Sequence, residues 1–427
     1  MPLRRVSDGK PQEGIGPRII QIFPRFYIHR PAGSKTIKPS NLPELSGKGV
    51  GFLLRSDILM SNGRFFERAS LLHRRDAIRR LASIGMVGSW SLRSPARCIA
   101  QLDAGEPIGY RVTIPTMGSL IEIRWMGGER ASEQQVVDAA SECADNWVEV
   151  LSDYQQDSEC MRLCRAASGG DWVAVSEPLW RVLLECDTWY RITEGAFDAA
   201  LGAITRLRRA TKDVPETVWQ EARARCGWEH IELNLAEQRI RFHRPGVMLD
   251  FGAIGKGFVV DRIGERLRAM GIDSFVVNAS GNMVCGSPVR SHGVDPDRSV
   301  GWPVAIGVLG DSEREFKRLR LSHCGIATSG DQYQRFRDGA SEGNATRTSH
   351  IVDPVQRRGL EQSNMATVIT AMASDADALA TACCVHLQRG TLSSWLARAR
   401  GELPRAEYVL QSWREGAIAY TAIPCDW

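Results

Sequence analysis

The sequence lacks several patterns by which a protein's chemistry is usually recognised. Its eleven cysteines include no CxxC pair, and their scattered positions and odd number argue against a disulfide framework or a cysteine metal cage. We expect buried free thiols instead. No zinc-finger spacing, basic helix or arginine-rich tract follows residue 100, which excludes nucleic acid as an expected partner. Neither a P-loop nor a dinucleotide-binding fingerprint is present.

Long hydrophobic runs are also missing, and no segment approaches the roughly 20 apolar residues that a membrane-spanning helix needs. The formal net charge of +4 is unevenly distributed, because residues 1–100 hold 18 Lys or Arg against 6 Asp or Glu. A basic N-terminal segment followed by an acidic remainder of the chain is typical of a targeting or disordered segment at the N-terminus. The 427 residues suffice for one large domain or two, with a substantial core.

The basic N-terminal segment predicts an export signal at an unusual position. Two arginine pairs, Arg74-Arg75 and Arg79-Arg80, precede the uncharged run Leu81–Leu92, a layout that resembles a twin-arginine signal over residues 74–98. Ala77 stands where such signals carry a bulky apolar residue. The alternative is an amphipathic surface helix. Residues 1–73 are predicted to be a disordered or mis-annotated extension, and residues 1–59 would be absent if translation starts at Met60, which N-terminal sequencing would test. We therefore expect the protein in the periplasm or on the outer face of the inner membrane, with possible membrane-surface association.

The body of the chain, residues 105–427, interleaves strands and helices without strict βαβ alternation. This pattern predicts an α+β fold, a single catalytic domain of mixed sheets flanked by helices. Helices are expected over 132–167, 179–193, 256–270 and 375–387. Strands are expected over 110–125, 231–235, 240–242, 247–250, 274–278, 304–309, 318–322 and 408–422.

The segment from Met248 to Asp261 carries the strongest chemical signal. It places Asp250, Lys256 and Asp261 around three glycines, directly before an amphipathic run. Glycines permit close backbone approach, and the following helix offers unpaired N–H groups to an anion. The segment therefore favours a phosphorylated ligand with a metal ion, although an ordinary strand–turn–helix connection with solvated charges explains it about equally well.

Three other constellations are weaker. Asp377 and Thr381 lie one helical turn apart, and two hard oxygen ligands at that spacing suit Mg²⁺; a capping Asp and a Thr bonded to its own backbone explain them too. His350 can act as a general base or be structural. Phe197 beside Asp198 can receive a flat aromatic ring or belong to the core.

Taken in order, the motifs resemble the ApbE-type FAD:protein FMN transferases from about Arg111 to about Ala422. The matching blocks are Met117–Ser119, Ser152–Tyr154, Gly195–Asp198, Asp250–Gly257 with Asp261, Ala327–Asp331, His350–Pro354 and Ala376–Thr381. Seven ordered blocks are far more specific than any one of them.

The resemblance implies a role for each matching position. It implies FAD contacts at Met117, Tyr154, Ala196, Phe197, Asp198, Asp250, Lys256 and Ile351. It implies that the Ala253 carbonyl, Asp377 and Thr381 hold Mg²⁺, that His350 is the base, and that Lys256 and Asp377 also take part in catalysis. The implied reaction moves FMN from FAD to a threonine of an acceptor redox protein and releases AMP.

Some positions depart from the family pattern. Gly255 replaces the usual Ala before the lysine, Ala199 and Ala200 replace Pro-Thr, and Ser280-Gly281-Asn282 replaces a Gly-Gly-Asp/Asn turn. None removes an implied ligand, although the first two leave the affinity for FAD open. Two other functions remain as alternatives: a Mg²⁺-dependent FAD pyrophosphatase giving FMN and AMP, and a carrier that binds FAD without turnover.

Overall fold

The computed structural model describes residues 100–102, 109–127, 131–209, 214–288, 301–330, 335–338, 346–414 and 417–423. The predicted extension over 1–73 and the predicted signal over 74–98 lie outside these ranges and stay predictions. Within the ranges, no helix is both long and apolar enough to cross a lipid bilayer.

The described helices are α1 (Glu133–Leu151), α2 (Glu159–Ala166), α3 (Glu177–Ile192), α4 (Gly202–Arg208), α5 (Glu216–Ala224), α6 (Gly255–Ala269), α7 (Ala373–Arg389) and α8 (Leu392–Ala399). The strands are β1 (Ala100–Leu102), β2 (Tyr110–Thr116), β3 (Ser119–Met126), β4 (Val173–Ala174), β5 (Ile231–Asn234), β6 (Arg239–Phe242), β7 (Ser274–Ala279), β8 (Asn282–Cys285), β9 (Trp302–Val308), β10 (Asp311–Leu321), β11 (Cys324–Gly330), β12 (Arg335–Asp338), β13 (Thr346–Ser349), β14 (Val352–Asp353), β15 (Arg358–Gly359), β16 (Asn364–Thr370), β17 (Glu407–Arg414) and β18 (Ala417–Ile423).

An antiparallel sheet of eight strands forms the centre of the fold, in the order β18-β17-β16-β11-β8-β7-β3-β2. One face carries helices α6 and α7, which pack on β7, β8, β11 and β16. The other face buries Met283, Ile326 and Ile369 together with Trp302 and Val304 of the three-stranded sheet β1-β9-β10. The predicted α+β class, with sheets flanked by helices, is confirmed, and the strand pairs within the described ranges are antiparallel.

Most predicted elements occur, and two do not. The long helix expected over 132–167 is two helices, because Ser158 caps the start of α2 and its hydroxyl donates to the Ser152 carbonyl. The strand expected over 247–250 is irregular backbone. Its N–H and C=O groups bond to another segment, with Asp250 N donating to Ala199 O and Gly202 N to Met248 O, at 2.8 and 2.9 Å.

Free thiols are also as expected. Nine cysteines lie among the described residues, all of them free and all but Cys143 buried. Burial raises the pKa of the Cys143 thiol to about 11, so it stays protonated at neutral pH.

Helices α6 and α7 meet at their N-terminal turns, and each supplies a carboxylate to the other. Asp261 of α6 accepts the N–H groups of Ala373 and Ser374, both at 2.9 Å. Asp377 of α7 accepts the N–H of Gly257 at 3.1 Å. The contact is close, since a Cβ on Gly257 would lie 2.3 Å from the Ala373 carbonyl oxygen. Only glycine permits this approach.

A buried acidic cluster joins three helices nearby. Burial, and then the neighbouring Asp375 and Asp261, raise the pKa of Glu185 in α3 to about 7. Burial likewise raises the pKa of Asp261 and of Asp375 to about 6 each. These carboxyl groups therefore hold protons more tightly in the folded chain than in the unfolded one.

Glu185→Gln is expected to stabilise the protein at pH 8 by roughly 2 kcal/mol, and to have little effect at pH 4.5. Because the folded pKa of Glu185 lies above its unfolded value, its unfavourable contribution grows as pH rises from about 4.5 to about 7. Urea unfolding at both pH values measures this. The exposed Glu177→Gln on the same helix is the control, and an equal gain at both pH values would contradict the assignment.

Gly257→Ala is expected to lower the free energy of unfolding by about 2–3 kcal/mol, because the new methyl group meets backbone rather than a flexible side chain. The matched control is Gly255→Ala, whose Cβ would find its nearest neighbour at 3.6 Å. That change is expected to cost nothing and to stabilise slightly, since alanine favours helix. Urea unfolding of both variants decides the matter, and equal stabilities would refute the close packing.

Candidate active site

The junction of α6 and α7 brings together residues that are more than a hundred positions apart. The Asp377 carboxylate is 3 % exposed and receives the Gly257 N–H. In an uninterrupted helix that N–H would bond to the Ala253 carbonyl, four residues earlier. Ala253 lies in the turn just before α6, so Asp377 and the glycine-rich segment form one locus.

The alternative in which Asp377 caps the start of its own helix does not occur. Helix α7 begins at Ala373, so Asp377 does not cap its own helix and instead caps α6. The Thr381 hydroxyl lies 3.0 Å from the hydroxyl of Ser329 on β11. Both side chains therefore lie on the face of α7 that meets the sheet and α6.

Burial raises the pKa of Asp377, and the nearby Lys256 ammonium and the Gly257 N–H oppose that rise. The Lys256 ammonium also donates to the Gly252 carbonyl at 3.2 Å. An anionic carboxylate and a cation thus flank the start of α6, where the helix dipole favours negative charge.

Asp250 is held by helix α4. Its Oδ2 accepts the Thr205 hydroxyl at 2.5 Å and its Oδ1 accepts the Gly252 N–H at 2.8 Å. The Arg209 guanidinium lies 3.8 Å from the same carboxylate and 4.3 Å from the centre of the Tyr154 ring. Arg209 also pairs with Asp153. The predicted FAD residues Asp250 and Tyr154 therefore lie together, with Tyr154 56 % exposed.

The same helix reaches the histidine segment. Arg208 donates to the Thr348 hydroxyl at 3.0 Å and to the Ser349 carbonyl, directly before His350. Ile351 donates its N–H to the Ser349 hydroxyl at 3.1 Å, and its side chain is buried. Helix α4 thus connects the Asp250 group with the His350 segment, and sequence reasoning assigned it no role.

Met117 lies at the same end of the central sheet as the β7–β8 turn. It occupies the β2–β3 turn with φ 53°, and the hydroxyls of Ser119 and Ser280 are hydrogen-bonded. A Cβ on Gly281 would lie 4.0 Å from Thr328 Cβ. Ser329 contacts Thr381 at this end of the sheet, so Met117 lies at the same end as the predicted metal ligand Thr381.

The triplet Ala196-Phe197-Asp198 does not present an exposed ring on which a flat ligand could stack. Phe197 and Ala196 are each 1 % exposed and belong to the core. The Asp198 carboxylate accepts the N–H groups of Ala200 and Trp228 at 2.7 and 3.1 Å, and burial raises its pKa to about 6. A ligand at this triplet would meet backbone or Asp198, because the ring is covered.

Asp198 also lines a pocket of about 420 Å³, with Tyr190, Glu194, Gly195, Glu229, Pro354, Val355 and Arg357. Asp353, which directly precedes the lining residue Pro354 in the sequence, forms an ion pair through two hydrogen bonds with Arg389 at the end of α7. Arg389 lies twelve residues beyond Asp377, or about 18 Å along the helix. The pocket is therefore separate from the α6–α7 locus.

The residues present suit an oxygen-liganded divalent ion. No group of three or more His, Cys, Asp or Glu side chains that could hold a metal occurs within the described ranges. A cation would depend on one carboxylate plus hydroxyl and carbonyl oxygens, which is the ligand set that Mg²⁺ prefers. The buried Asp377 carboxylate fits this, because a buried anion needs a compensating charge.

Comparisons with known proteins identify the family to which this chain belongs. The model of the ApbE family matches residues 117–403. The FAD:protein FMN transferase of Treponema pallidum is 30% identical over 255 residues, which cover 56% of this chain and 67% of the relative. The FAD:protein FMN transferase of Salmonella typhimurium is 27% identical over 274 residues, covering 61% and 74%.

Solved structures show the same fold. The flavin transferase ApbE of Vibrio cholerae superposes with a TM-score of 0.62 at 23% identity, over 74% of this chain and 97% of that one. The apo form of the Pseudomonas stutzeri flavinyl transferase ApbE gives 0.60 at 23%, over 73% and 94%. The fold and the family match over two thirds of its length together establish that this chain is a member of the ApbE family.

Proposed function

We propose that this chain is a Mg²⁺-dependent FAD:protein FMN transferase that acts on a threonine of an acceptor redox protein. The threonine oxygen attacks the phosphorus on the FMN side of the pyrophosphate. The bond from that phosphorus to the oxygen that bridges the two phosphorus atoms breaks, and this oxygen leaves as part of AMP. The observation that carries the proposal is the Asp377–Gly257 hydrogen bond, which joins the glycine-rich segment to the predicted metal ligands of α7.

Asp377, Thr381 and the Ala253 carbonyl are the groups that would hold Mg²⁺. A bound Mg²⁺ would supply positive charge against the pyrophosphate oxygens. Lys256 provides a second cation beside Asp377, and it would bind a phosphate oxygen. Asp250 and Tyr154, fixed by Thr205 and Arg209, would position the remainder of FAD.

His350 is the candidate that takes the threonine proton, with an ionised carboxylate nearby as the other choice. Its segment is held by Arg208, and the neighbouring Ser349 donates its N–H to the Leu360 carbonyl at 2.7 Å. A fixed backbone favours a defined position for the imidazole. The acceptor protein must reach the same locus, so we expect a groove rather than a closed cavity.

The location of the protein is also a proposal. A signal over residues 74–98 would export the chain to the periplasm or to the outer face of the inner membrane, where it would meet extracytoplasmic redox proteins and associate with the membrane surface. The basic composition of residues 1–100 supports this. Fractionation of cells that produce the full chain tests it.

A single incubation separates the proposal from its two alternatives. The full chain is mixed with FAD, Mg²⁺ and a threonine-containing acceptor domain, and then denatured. Flavin fluorescence that stays with the acceptor is the expected result. AMP with free FMN and no labelled acceptor would indicate a pyrophosphatase, and intact FAD would indicate a carrier.

Asp377→Asn is expected to reduce Mg²⁺-dependent AMP release at least 100-fold, because the amide keeps the shape but loses the charge that holds the cation. Asp375→Asn, two residues away on the same helix, is the matched control and should retain activity. The apparent Mg²⁺ affinity of the unmodified enzyme should fall as pH is lowered, since burial raises the pKa of Asp377. Full activity of Asp377→Asn would refute its role in metal binding.

A further inference from the structure

Asn282, at the start of β8, has a buried side-chain oxygen that accepts no hydrogen bond from the described residues. Its side chain is 2 % exposed, and its Oδ1 has no partner among the described residues. A buried amide oxygen that bonds to nothing costs free energy. Such a group in a folded protein needs an explanation, and a ligand that completes its bonding is one.

The strand register places Asn282 beneath the α6–α7 junction. Met283 pairs with Ile326, so one residue further along the two strands Asn282 lies beside Ala327. Asn282 and Val284 share a face of the sheet, because side chains alternate along a strand. Val284 packs under α6, where a Cβ on Gly264 would lie 3.1 Å from its Cγ1.

The direction in which α7 runs along the sheet places Asp377 above the position of Ala327. A Cβ on Gly325 would lie 2.0 Å from the Ala373 nitrogen, and Ser329 contacts Thr381. Four strand residues and eight helix residues each span about 12–13 Å. Helix α7 therefore runs along β11 in the same direction, and Asp377, at the midpoint, lies over the position of Ala327.

The register thus places Asn282 beside Ala327, on the sheet face that Asp377 overlies. We infer that the Asn282 side-chain oxygen takes part in binding the divalent cation, directly or through one metal-bound water. An amide oxygen is a hard, neutral ligand, and Mg²⁺ commonly retains waters that bond to such groups. This inference rests on the proposed function, since it concerns the same cation.

The test measures binding rather than turnover. Mn²⁺, a paramagnetic substitute for Mg²⁺, is titrated into the full chain with FAD, and free Mn²⁺ is followed by electron paramagnetic resonance. Asn282→Ala should raise the Kd for Mn²⁺ at least 10-fold. Asn282→Asp, which keeps an oxygen at the same place, should bind Mn²⁺ as tightly as the unmodified chain or more tightly. The melting temperature without ligands should change little in Asn282→Ala, because Oδ1 has no hydrogen bond with the described residues to lose.

Asn364→Ala is the matched control. Asn364 is equally buried, and its amide also has no partner among the described residues. It lies two strands from Asn282, four residues along β16 from Val368, the residue paired with Ala327. Its variant should bind Mn²⁺ normally.

A Kd for Asn282→Ala within two-fold of the unmodified value would overturn the inference and leave the proposed function intact, and so would an equal loss in Asn364→Ala. If the unmodified chain with FAD fails to bind Mn²⁺, the metal dependence in the proposed function is itself wrong, and the inference fails with it.

Discussion

The reciprocal capping of α6 and α7 is the interaction on which the candidate site depends. Each helix leaves N–H groups unpaired at its start, and each receives a carboxylate from the other, Asp261 on Ala373 and Ser374, and Asp377 on Gly257. Both carboxylates favour the positive end of the helix dipole that they face. The arrangement fixes the relative position of two helices without relying on side-chain packing alone.

This capping also determines what the site can bind. Burial raises the pKa of both Asp261 and Asp377, so the junction carries anions whose hydration the protein has only partly replaced. Asp261 is compensated by two backbone N–H groups, whereas Asp377 receives one N–H and the field of Lys256. Asp377, the less compensated carboxylate, lies one helical turn from Thr381. A cation bound there would offset the cost of burying the Asp377 charge and would stabilise the folded chain.

Much of the fold follows from local sequence signals. The hairpin of β5 and β6, the N-cap of Ser176 on α3 and the β2–β3 pair are set by alternation and by capping chemistry, which act over a few residues. The two wrong elements have a different cause. The irregular path of 247–250 depends on hydrogen bonds to the backbone of Ala199 and Gly202, which a local pattern does not contain. The break near Ser158 is a local N-cap, and the apolar helical spacing over 132–167 does not reveal it.

The candidate site divides in the same way. The residue types in the glycine-rich segment and at Asp377 and Thr381 indicate phosphate and metal chemistry, but their contact across more than a hundred positions becomes visible only in the structure. The resemblance to ApbE proteins identified those positions, yet it did not indicate that Phe197 is covered by the core or that α4 holds Asp250 and the His350 segment. Arg208 and Arg209 gave no signal of their own, because arginines in helices usually lie at the surface, whereas Arg208 is buried here.

The close approach of Gly257 to Ala373 links this stability to chemistry. Because the two backbones touch, a shift of α7 moves Asp377 and Thr381 together with the N–H groups of α6. Tight interiors transmit such displacements rather than absorb them. The glycine is therefore required less for its conformational freedom than for the space it leaves. That space admits the Ala373 backbone, and this approach brings the Asp377 carboxylate and the Lys256 ammonium together at the start of α6.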